Sequence, residues 1–334
     1  MTSFNLEQSA RELTESIAKG PPLSGVSLEQ ACRAVEAAQS APISMPDVDE
    51  SWVTVSSAFG DFQVRIVRPR GSAGSLPAIL YLHGGGWILG SWITHDLLTR
   101  RLAVGAEAAV VFDEYSRAPE AKYPVQLEQC YAAAEWIMEQ GAGGGFDITR
   151  IAVAGDSAGG NMATVLTLMA KQRGSDQFVH QSLYYPMTDA DAKDSESLRR
   201  FKDGPYGSAE GLAWFWNSYL TRAESRSDVL VSPLQATLAD LEGLPPTRVI
   251  VDENDVLETK ARPTPTNCAT PGSQPHPCVS TARSTTSCAS TRCATPSRPA
   301  RRSASRPPLY GELSARSSGQ EARPTSPRES KEKQ

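Results

Sequence analysis

Five short apolar runs, with helical stretches between most of them, constrain the fold of this chain more than any other feature. Buried parallel strands joined by crossover helices produce this rhythm, because both faces of such strands are covered. The sequence therefore predicts an α/β fold with a mostly parallel central sheet and helices on both faces. The apolar runs are Ala78–Leu82, Ala109–Phe112, Ile151–Ala154, Leu183–Tyr185 and Val249–Val251, and the helical stretches lie near 94–106, 125–139 and 158–172.

Two other patterns precede these runs. Residues 6–19 and 28–38 carry apolar side chains at helical spacing and are separated by a proline-containing breaker. Trp52–Ser57 and Gln63–Arg68 instead alternate between apolar and polar residues, which predicts an antiparallel pair at a sheet edge.

A serine flanked by glycines follows the third apolar run. Gly155–Gly160 reads G-D-S-A-G-G, a G-x-S-x-G pattern with a strand before it and a helix after it. The glycines leave room for a sharp, strained turn that exposes the Ser157 hydroxyl above the sheet. Ser157 is therefore the candidate nucleophile, and the alternative is a glycine-rich turn without catalytic role.

Three glycines in succession follow the first apolar run, in His83-Gly84-Gly85-Gly86-Trp87. Their bare backbone N–H groups can approach a substrate oxygen and stabilise the charge that develops on it. Gly85 and Gly86, with the N–H of Ala158, are the candidate oxyanion hole. A phosphate loop is the alternative, but no Gly-Lys-Ser/Thr follows. His83 is interpreted as a structural residue that holds this loop.

A candidate acid follows the last apolar run. The segment Val249–Leu257 ends in a loop that the fold places at the same sheet edge as Ser157, and serine nucleophiles of this type are followed along the chain by an acid and then a histidine. Asp255 is the first choice and Asp252, in the same loop, is the alternative.

Over residues ~20–257, these motifs together resemble the hormone-sensitive-lipase-like carboxylesterases of the α/β-hydrolase fold, in particular bacterial esterases and acetyl-hydrolases. The resemblance rests on HGGGW, on EYSRAPEAKYP at 114–124, on GDSAGGNM at 155–162 and on DENDVL at 252–257. It implies Ser157 as nucleophile, Asp255 as triad acid, and Gly85, Gly86 and Ala158 as oxyanion donors.

The resemblance also implies a domain organisation. Residues 1–45 and an insertion at about 187–225 would form a helical cap on a hydrolase core that spans 46–257. The insertion carries an aromatic cluster that either lines the acyl pocket or packs as the core of the cap. The members of that cluster are Trp214, Phe215, Trp216 and Tyr219.

The resemblance and the composition together predict the partners and the location of the protein. The substrate class is a small acyl ester, the chemistry needs neither cofactor nor metal, and family members are monomers or homodimers. Residues 1–257 hold 20 Lys+Arg against 33 Asp+Glu, a balance that argues against nucleic-acid and anionic membrane partners. No apolar run approaches the ~20 residues that span a bilayer, and the chain start lacks a basic region followed by an apolar stretch, so a cytoplasmic location is expected.

The histidine that the family requires is missing from its expected context. The only histidine beyond Asp255 is His276, in Gln-Pro-His-Pro, without a strand or helix pattern around it. His95 and His180 lie at helix and strand borders and carry no signal of a catalytic role. Because a serine hydroxyl without a base is a poor nucleophile, the chain as written should be inactive or retain residual turnover.

Composition changes where that histidine is expected. Residues 258–334 hold 13 Lys+Arg, 5 Asp+Glu, 11 of the 24 prolines and only four large apolar residues, which predicts a disordered tail. The tail cysteines either form a metal or disulfide cluster or are accidents of composition, and the second interpretation is favoured because no CxxC pair occurs. They are Cys268, Cys278, Cys288 and Cys293.

A frameshift at about Leu257 would explain the tail. If each codon of a second frame takes the third base of one tail codon and the first two bases of the next, Ser280–Pro296 can spell N-G-T-I-H-D-F-M-R-L-N-A-L-R-D-T. That string contains the expected G-x-x-H-D-F context, with the histidine codon straddling Ser284 and Thr285. The hypothesis also accounts for the Pro, Arg, Ser, Thr and Cys bias of the tail.

A binding protein of the same fold is the alternative function. Plant gibberellin receptors resemble this family, keep its two glycine-rich loops and lack the catalytic histidine. Such a receptor replaces the histidine within an intact last strand and helix, whereas here the whole region changes composition. The serine carboxylesterase interpretation is therefore preferred.

Overall fold

One eight-stranded sheet organises the described part of the chain. The computed structural model describes residues 6–40, 42–191, 195–204, 207–258 and 279–282, which all lie in one unit, Met1–Ala294. The strands are β1 (Val48–Val55), β2 (Phe62–Pro69), β3 (Leu76–Leu82), β4 (Ala109–Glu114), β5 (Phe146–Asp156), β6 (Phe178–Tyr184), β7 (Thr247–Asp252) and β8 (Val279–Ala282).

The strand order is β1-β2-β4-β3-β5-β6-β7-β8. β1 pairs antiparallel with β2, and β2 with β4, so the predicted antiparallel pair does form one edge of the sheet. Every other pairing in this order is parallel. The predicted α/β-hydrolase fold, with a mostly parallel central sheet, is confirmed.

Helices connect most of the parallel strands, as their spacing predicts. α2 begins with a capping box, in which Ser27 and Gln30 satisfy each other's backbone N–H groups. No helix within the described ranges is both long and apolar enough to cross a bilayer. The helices are α1 (Gln8–Ile17), α2 (Leu28–Gln39), α3 (Trp92–Ala106), α4 (Val125–Gln140), α5 (Ala158–Gln172), α6 (Glu196–Phe201), α7 (Ala209–Tyr219) and α8 (Leu238–Leu241).

The core lies on both faces of the central strands. Leu80 of β3 and Val153 of β5 are fully buried, and Leu166 of α5 packs into the same cluster. Because β3 and β5 are covered on both faces, their residues are apolar without alternation, which is why they appear as continuous runs in the sequence. This rigid centre supports the loops at the carboxyl ends of the strands.

Five residues of the tail are described: Glu258, and Val279–Ala282, which form a strand. β8 pairs in parallel with β7, with Val249 opposite Val279 and Asp252 opposite Ala282. The tail's composition indicated no strand here, but backbone pairing to the free side of β7 needs few apolar side chains. His276 and the four tail cysteines lie outside the described residues.

Candidate active site

Ser157 occupies a strained turn between β5 and α5. Its backbone angles are φ 53° and ψ −115°, a region that residues with a side chain rarely adopt. Three backbone hydrogen bonds hold the turn: its N–H donates to Tyr184 O (2.9 Å), and its carbonyl accepts from Asn161 N (3.1 Å) and Met187 N (3.0 Å). Because α5 begins at the next residue, the positive end of the helix dipole lies beside the serine.

The glycines around Ser157 let two loops approach each other. A Cβ added to Gly159 would lie 1.9 Å from the carbonyl oxygen of Leu82, and one added to Gly155 would lie 2.7 Å from the same atom. Since β3 and β5 pair in parallel with Leu82 opposite Gly155, the residues that follow each strand emerge side by side. The predicted nucleophile and the predicted oxyanion loop are therefore adjacent.

The triple-glycine loop, the predicted oxyanion loop, is a tight turn built on positive φ angles. Gly85 has φ 108° and Gly86 has φ 64°, and the carbonyl of Gly85 accepts hydrogen bonds from Ile88 N (3.2 Å) and Leu89 N (2.8 Å). A Cβ on Gly85 would lie 2.3 Å from Leu89 O. The glycines that the sequence singled out are thus required by space and by backbone conformation.

The carboxylate of Asp156 ties this loop to the serine turn. Its Oδ1 accepts hydrogen bonds from the backbone N–H of Gly84 (2.9 Å) and from the hydroxyl of Tyr81 (2.8 Å). Asp156 immediately precedes Ser157, so one side chain links the two loops. A Cβ on Gly84 would lie 2.2 Å from Oδ2 of the same carboxylate, which leaves no space for any other residue there.

His83 packs beneath the loop as the sequence indicated. Its ring is fully buried and stacks on the ring of Tyr115 at a centroid distance of 4.2 Å. Tyr115 also donates its hydroxyl proton to the carbonyl of His83 (2.9 Å). Burial, reinforced by the nearby His95, lowers the pKa of His83 to about 3, so this imidazole is neutral.

The acid loop begins where β7 ends. Asp252 is the last residue of β7 and is 3 % exposed, whereas Asp255 lies three residues further on and accepts a hydrogen bond from Leu257 N (2.9 Å). Burial raises the pKa of Asp255 to about 7 and that of Asp252 to about 8, the latter also through the charge of Asp255. Among the described residues, neither carboxyl group has a cationic partner of the kind that a triad histidine would supply.

The two candidate acids follow β7 at the same edge of the sheet at which Ser157 follows β5. β6 separates β5 from β7, and Tyr184 of β6 pairs with Asp156 on one side and Ile250 on the other. Two strand spacings of about 4.8 Å place the acid loop roughly 10 Å from the serine turn. An imidazole ring bridging a serine hydroxyl and a carboxylate fits a gap of that order.

The aromatic cluster of the insertion divides between two roles. Trp216 and Tyr219 of α7 are buried, and Tyr219 stacks on Trp87 with the ring planes 3° apart at 4.1 Å, so these residues form packed core. Phe215 instead lies against the oxyanion loop, because a Cβ on Gly86 would come within 2.0 Å of its ring. Trp214 packs beside Phe215 at 5.1 Å.

One polar pair at this site carried no signal in the sequence. The Nε2 of His95, in the first turn of α3, lies 3.2 Å from Oδ1 of Asp156, and both side chains are buried. His95 occupies a helix border, a position at which histidine is ordinary. Only the fold brings it to the carboxylate that precedes the nucleophile.

Comparison with known proteins places this chain among the alpha/beta hydrolases. The sequence profile of the alpha/beta hydrolase fold family matches residues 79–272. A putative alpha/beta hydrolase of Acanthamoeba polyphaga mimivirus is 34 % identical over 253 residues, which cover 76 % of this chain and 72 % of that protein. Carboxylesterase NlhH of Mycobacterium tuberculosis is 40 % identical over 59 % of this chain, and the match spans 62 % of NlhH.

A solved structure extends the likeness to three dimensions. A thermostable esterase from Pseudomonas putida ECU1011 superimposes with a TM-score of 0.75 at 36 % identity, over 78 % of this chain and 83 % of that one. The relatives with named activities in these comparisons hydrolyse esters, including an ethyl acetate hydrolase of Pseudomonas putida at 36 % identity over 58 % of this chain and 61 % of that protein.

Proposed function

This chain belongs to the hormone-sensitive-lipase-like carboxylesterases of the alpha/beta hydrolase fold, and from that premise we propose that Ser157 is the nucleophile of a site for small acyl esters. The observation that carries the proposal is the strained turn of Ser157, at φ 53° and ψ −115°, directly against the triple-glycine loop. A turn with only a structural role does not require this backbone strain, whereas a nucleophilic hydroxyl must be exposed above the sheet.

The proposed chemistry is acyl transfer through the serine. The Ser157 oxygen attacks the ester carbonyl carbon, and the backbone N–H groups of Gly85, Gly86 and Ala158 stabilise the oxyanion that forms. The alcohol leaves with a proton, and water then releases the acid from the acyl-enzyme. Each half of this reaction needs a base that first takes and then returns a proton.

Each of the three histidines within the described residues lies at a position other than that of the catalytic base. His83 is stacked and neutral below the loop, and His95 faces Asp156. His180 pairs in register with Ala152 of β5, five residues before Ser157 and toward the opposite end of the strand. The base that Asp255, or alternatively Asp252, would orient is thus not supplied by residues 6–258.

The frameshift hypothesis places its histidine codon a few residues beyond β8. β8 ends at Ala282, level with Asp252, and the codon proposed to encode histidine straddles Ser284 and Thr285.

The test is hydrolysis of p-nitrophenyl acetate by the purified 334-residue chain and by its Ser157→Ala and His276→Ala variants. We expect residual turnover of at most ~10³–10⁴ over water, which depends on the oxyanion loop rather than on a complete triad. Because triad residues act as a unit, neither Ser157→Ala nor His276→Ala should lower this residual rate much further. Ordinary enzymatic rates in the unmodified chain would contradict the missing base, and such rates surviving in Ser157→Ala would also contradict the nucleophile.

A receptor-like function is the second candidate. The alternative would require saturable small-molecule binding by a folded, cooperatively melting protein that shows no Ser157-dependent turnover. The named relatives are esterases and hydrolases, which favours the catalytic lineage.

A further inference from the structure

The buried pair of His95 and Asp156 stands between the oxyanion loop and α3. Asp156 is 5 % exposed and His95 is also 5 % exposed. The carboxylate accepts a hydrogen bond from the N–H of Gly84, the first glycine of the loop. His95, in α3, lies close to the same Oδ1. A change in charge at His95 therefore reaches the loop through a single intervening side chain.

The surroundings of the His95 ring place an acceptor beside each of its nitrogens. Nε2 faces the Asp156 carboxylate at 3.2 Å, and Nδ1 lies 3.2 Å from the carbonyl oxygen of Ser91, which can only accept. Nδ1 is also 2.7 Å from the hydroxyl of Thr94, but that hydroxyl has its own acceptor in Ser91 O at 2.8 Å. With an acceptor facing each nitrogen, the site favours a ring that carries both protons.

The other groups that face His95 are compatible with this charge. Glu114, at the end of β4, adds a second negative charge, while the rings of His83, Tyr81 and Phe112 enclose the imidazole at 5.6–6.0 Å. Burial by itself lowers the pKa of His95, but the charge of Asp156 and the hydrogen bonds to Asp156 and Ser91 outweigh it, and the net direction is upward. Burial likewise favours protonation of Asp156, and the charge of His95 reverses the direction of that pKa.

We propose that His95 is a positioning residue for the oxyanion loop, acting as a buried imidazolium that keeps Asp156 ionised and thereby fixes Gly84 beside the serine turn. The inference rests on the proposed function only in naming the loop an oxyanion hole; the pairing itself stands on geometry. When His95 loses its proton at alkaline pH, Asp156 loses its counter-charge in a buried site. Gly84 and the glycines after it then lose their fixed place.

The test uses nuclear magnetic resonance on the full-length chain labelled with ¹⁵N-histidine and ¹⁵N-glycine, so it does not depend on turnover. His95→Gln keeps a donor near Asp156 but removes the charge, Tyr81→Phe removes a neutral donor from the same oxygen, and His180→Gln is a control at a distant histidine. We expect the His95 signals to show both ring nitrogens protonated at neutral pH. We also expect His95→Gln to accelerate hydrogen exchange of the Gly84 amide by about tenfold at fixed pH, and Tyr81→Phe to do so by less.

Two results would overturn the proposal. One is a neutral His95 ring at neutral pH, with the hydroxyl of Thr94 donating to Nδ1. The other is Gly84 exchange in His95→Gln that matches His180→Gln. If His95→Gln fails to fold, a pH series on the unmodified chain decides the matter, since the Gly84 signal must shift together with the His95 titration. Failure of the esterase assay alone would leave these readouts unaffected.

Discussion

At the scale of single residues, the buried carboxylates of this protein differ in the groups that face them. Asp156 is surrounded by an imidazole, the phenols of Tyr81 and Tyr185 and a backbone N–H, and its pKa is lowered despite burial. Asp113, on β4, is fully buried beside the thiol of Cys130, which is a weak donor, and burial raises the pKa of Asp113 to about 8. The first carboxyl group is therefore ionised in the folded protein, and the second is protonated at neutral pH.

The protonated state of Asp113 predicts a stability change with pH. In the unfolded chain the pKa of this carboxyl group is close to its ordinary value of 3.8, and in the folded protein it is about 8. The stability that its proton contributes is full below the lower value and is lost as pH rises through the higher one. Asp113→Asn, which cannot ionise, should therefore raise the melting temperature relative to the unmodified chain at alkaline pH and have less effect at acid pH.

Thermal melts across the pH range check this prediction. Asp61→Asn serves as the matched control, since Asp61 is an exposed carboxylate in the loop between β1 and β2. The control should show no pH-dependent gain. A melting temperature for Asp113→Asn that tracks the unmodified chain at every pH would contradict the assignment of a neutral buried acid.

The site residues differ in how far the sequence predicts them. Ser157, Gly85 and Gly86 stand in local motifs, and a strained turn has to be encoded within a few neighbouring residues, so the sequence alone points to them. His95 acts through Asp156, which lies far away in sequence and comes close only because α3 packs near the end of β5. No local pattern encodes a pairing of that kind.

At the scale of elements, the site is a junction between the end of β3 and the first turn of α5. Gly159 lies so close to Leu82 that a Cβ would be 1.9 Å from its carbonyl oxygen. Backbone atoms cannot move aside as a flexible side chain can. The two loops therefore share one tightly packed contact, and space at Gly159 decides whether it forms.

Gly159→Ala should destabilise the protein by about 1–3 kcal/mol or more, because the added methyl group forces β3 and α5 apart. Gly105→Ala is the matched control, since Gly105 lies within α3 and a Cβ there meets nothing within 4 Å. That substitution should stabilise the protein by roughly 0.5–1 kcal/mol through helix propensity. Denaturant unfolding measures both, and equal effects of the two variants would contradict the packing argument.

The elements themselves were largely predictable from the sequence. α5 begins and ends where the helical pattern does. β3 and β4 nearly coincide with their apolar runs, because a two-sided core selects continuous apolar residues, whereas β5, β6 and β7 are longer than theirs. β8 was not predictable, since Val279–Ala282 has too few apolar residues to form a pattern and pairs through its backbone with β7. Backbone pairing with β7, rather than the composition of residues 279–282, therefore determines where β8 forms.

At the scale of the whole molecule, the chain divides by composition near Leu257. Residues 1–257 have an excess of acidic residues, and residues 258–334 have an excess of basic ones with 11 of the 24 prolines. The described fold accounts for the acidic part. The frameshift hypothesis attributes the basic part to a second reading frame of the same gene.

The nucleotide sequence across the codons for Asp255–Pro296 tests that hypothesis. We expect the alternative frame to encode an uninterrupted G-x-x-H-D-F context, with the histidine codon straddling Ser284 and Thr285. The check is direct because the protein sequence leaves the third base of most codons undetermined, whereas the gene specifies it. A stop codon or a different residue in that position would rule the hypothesis out.

The central claim is that this chain holds the nucleophile, the oxyanion loop and the acid of a carboxylesterase and lacks only the base. The most direct test is the rate of p-nitrophenyl acetate hydrolysis as imidazole is added, with Ser157→Ala at each concentration as the background. A positioned base contributes about 10²–10⁴ in rate, and free imidazole can recover part of that at an otherwise complete site. The account predicts little Ser157-dependent turnover without imidazole and a rate that rises as imidazole is added. Full turnover without imidazole, or no Ser157-dependent rise with it, would contradict the claim.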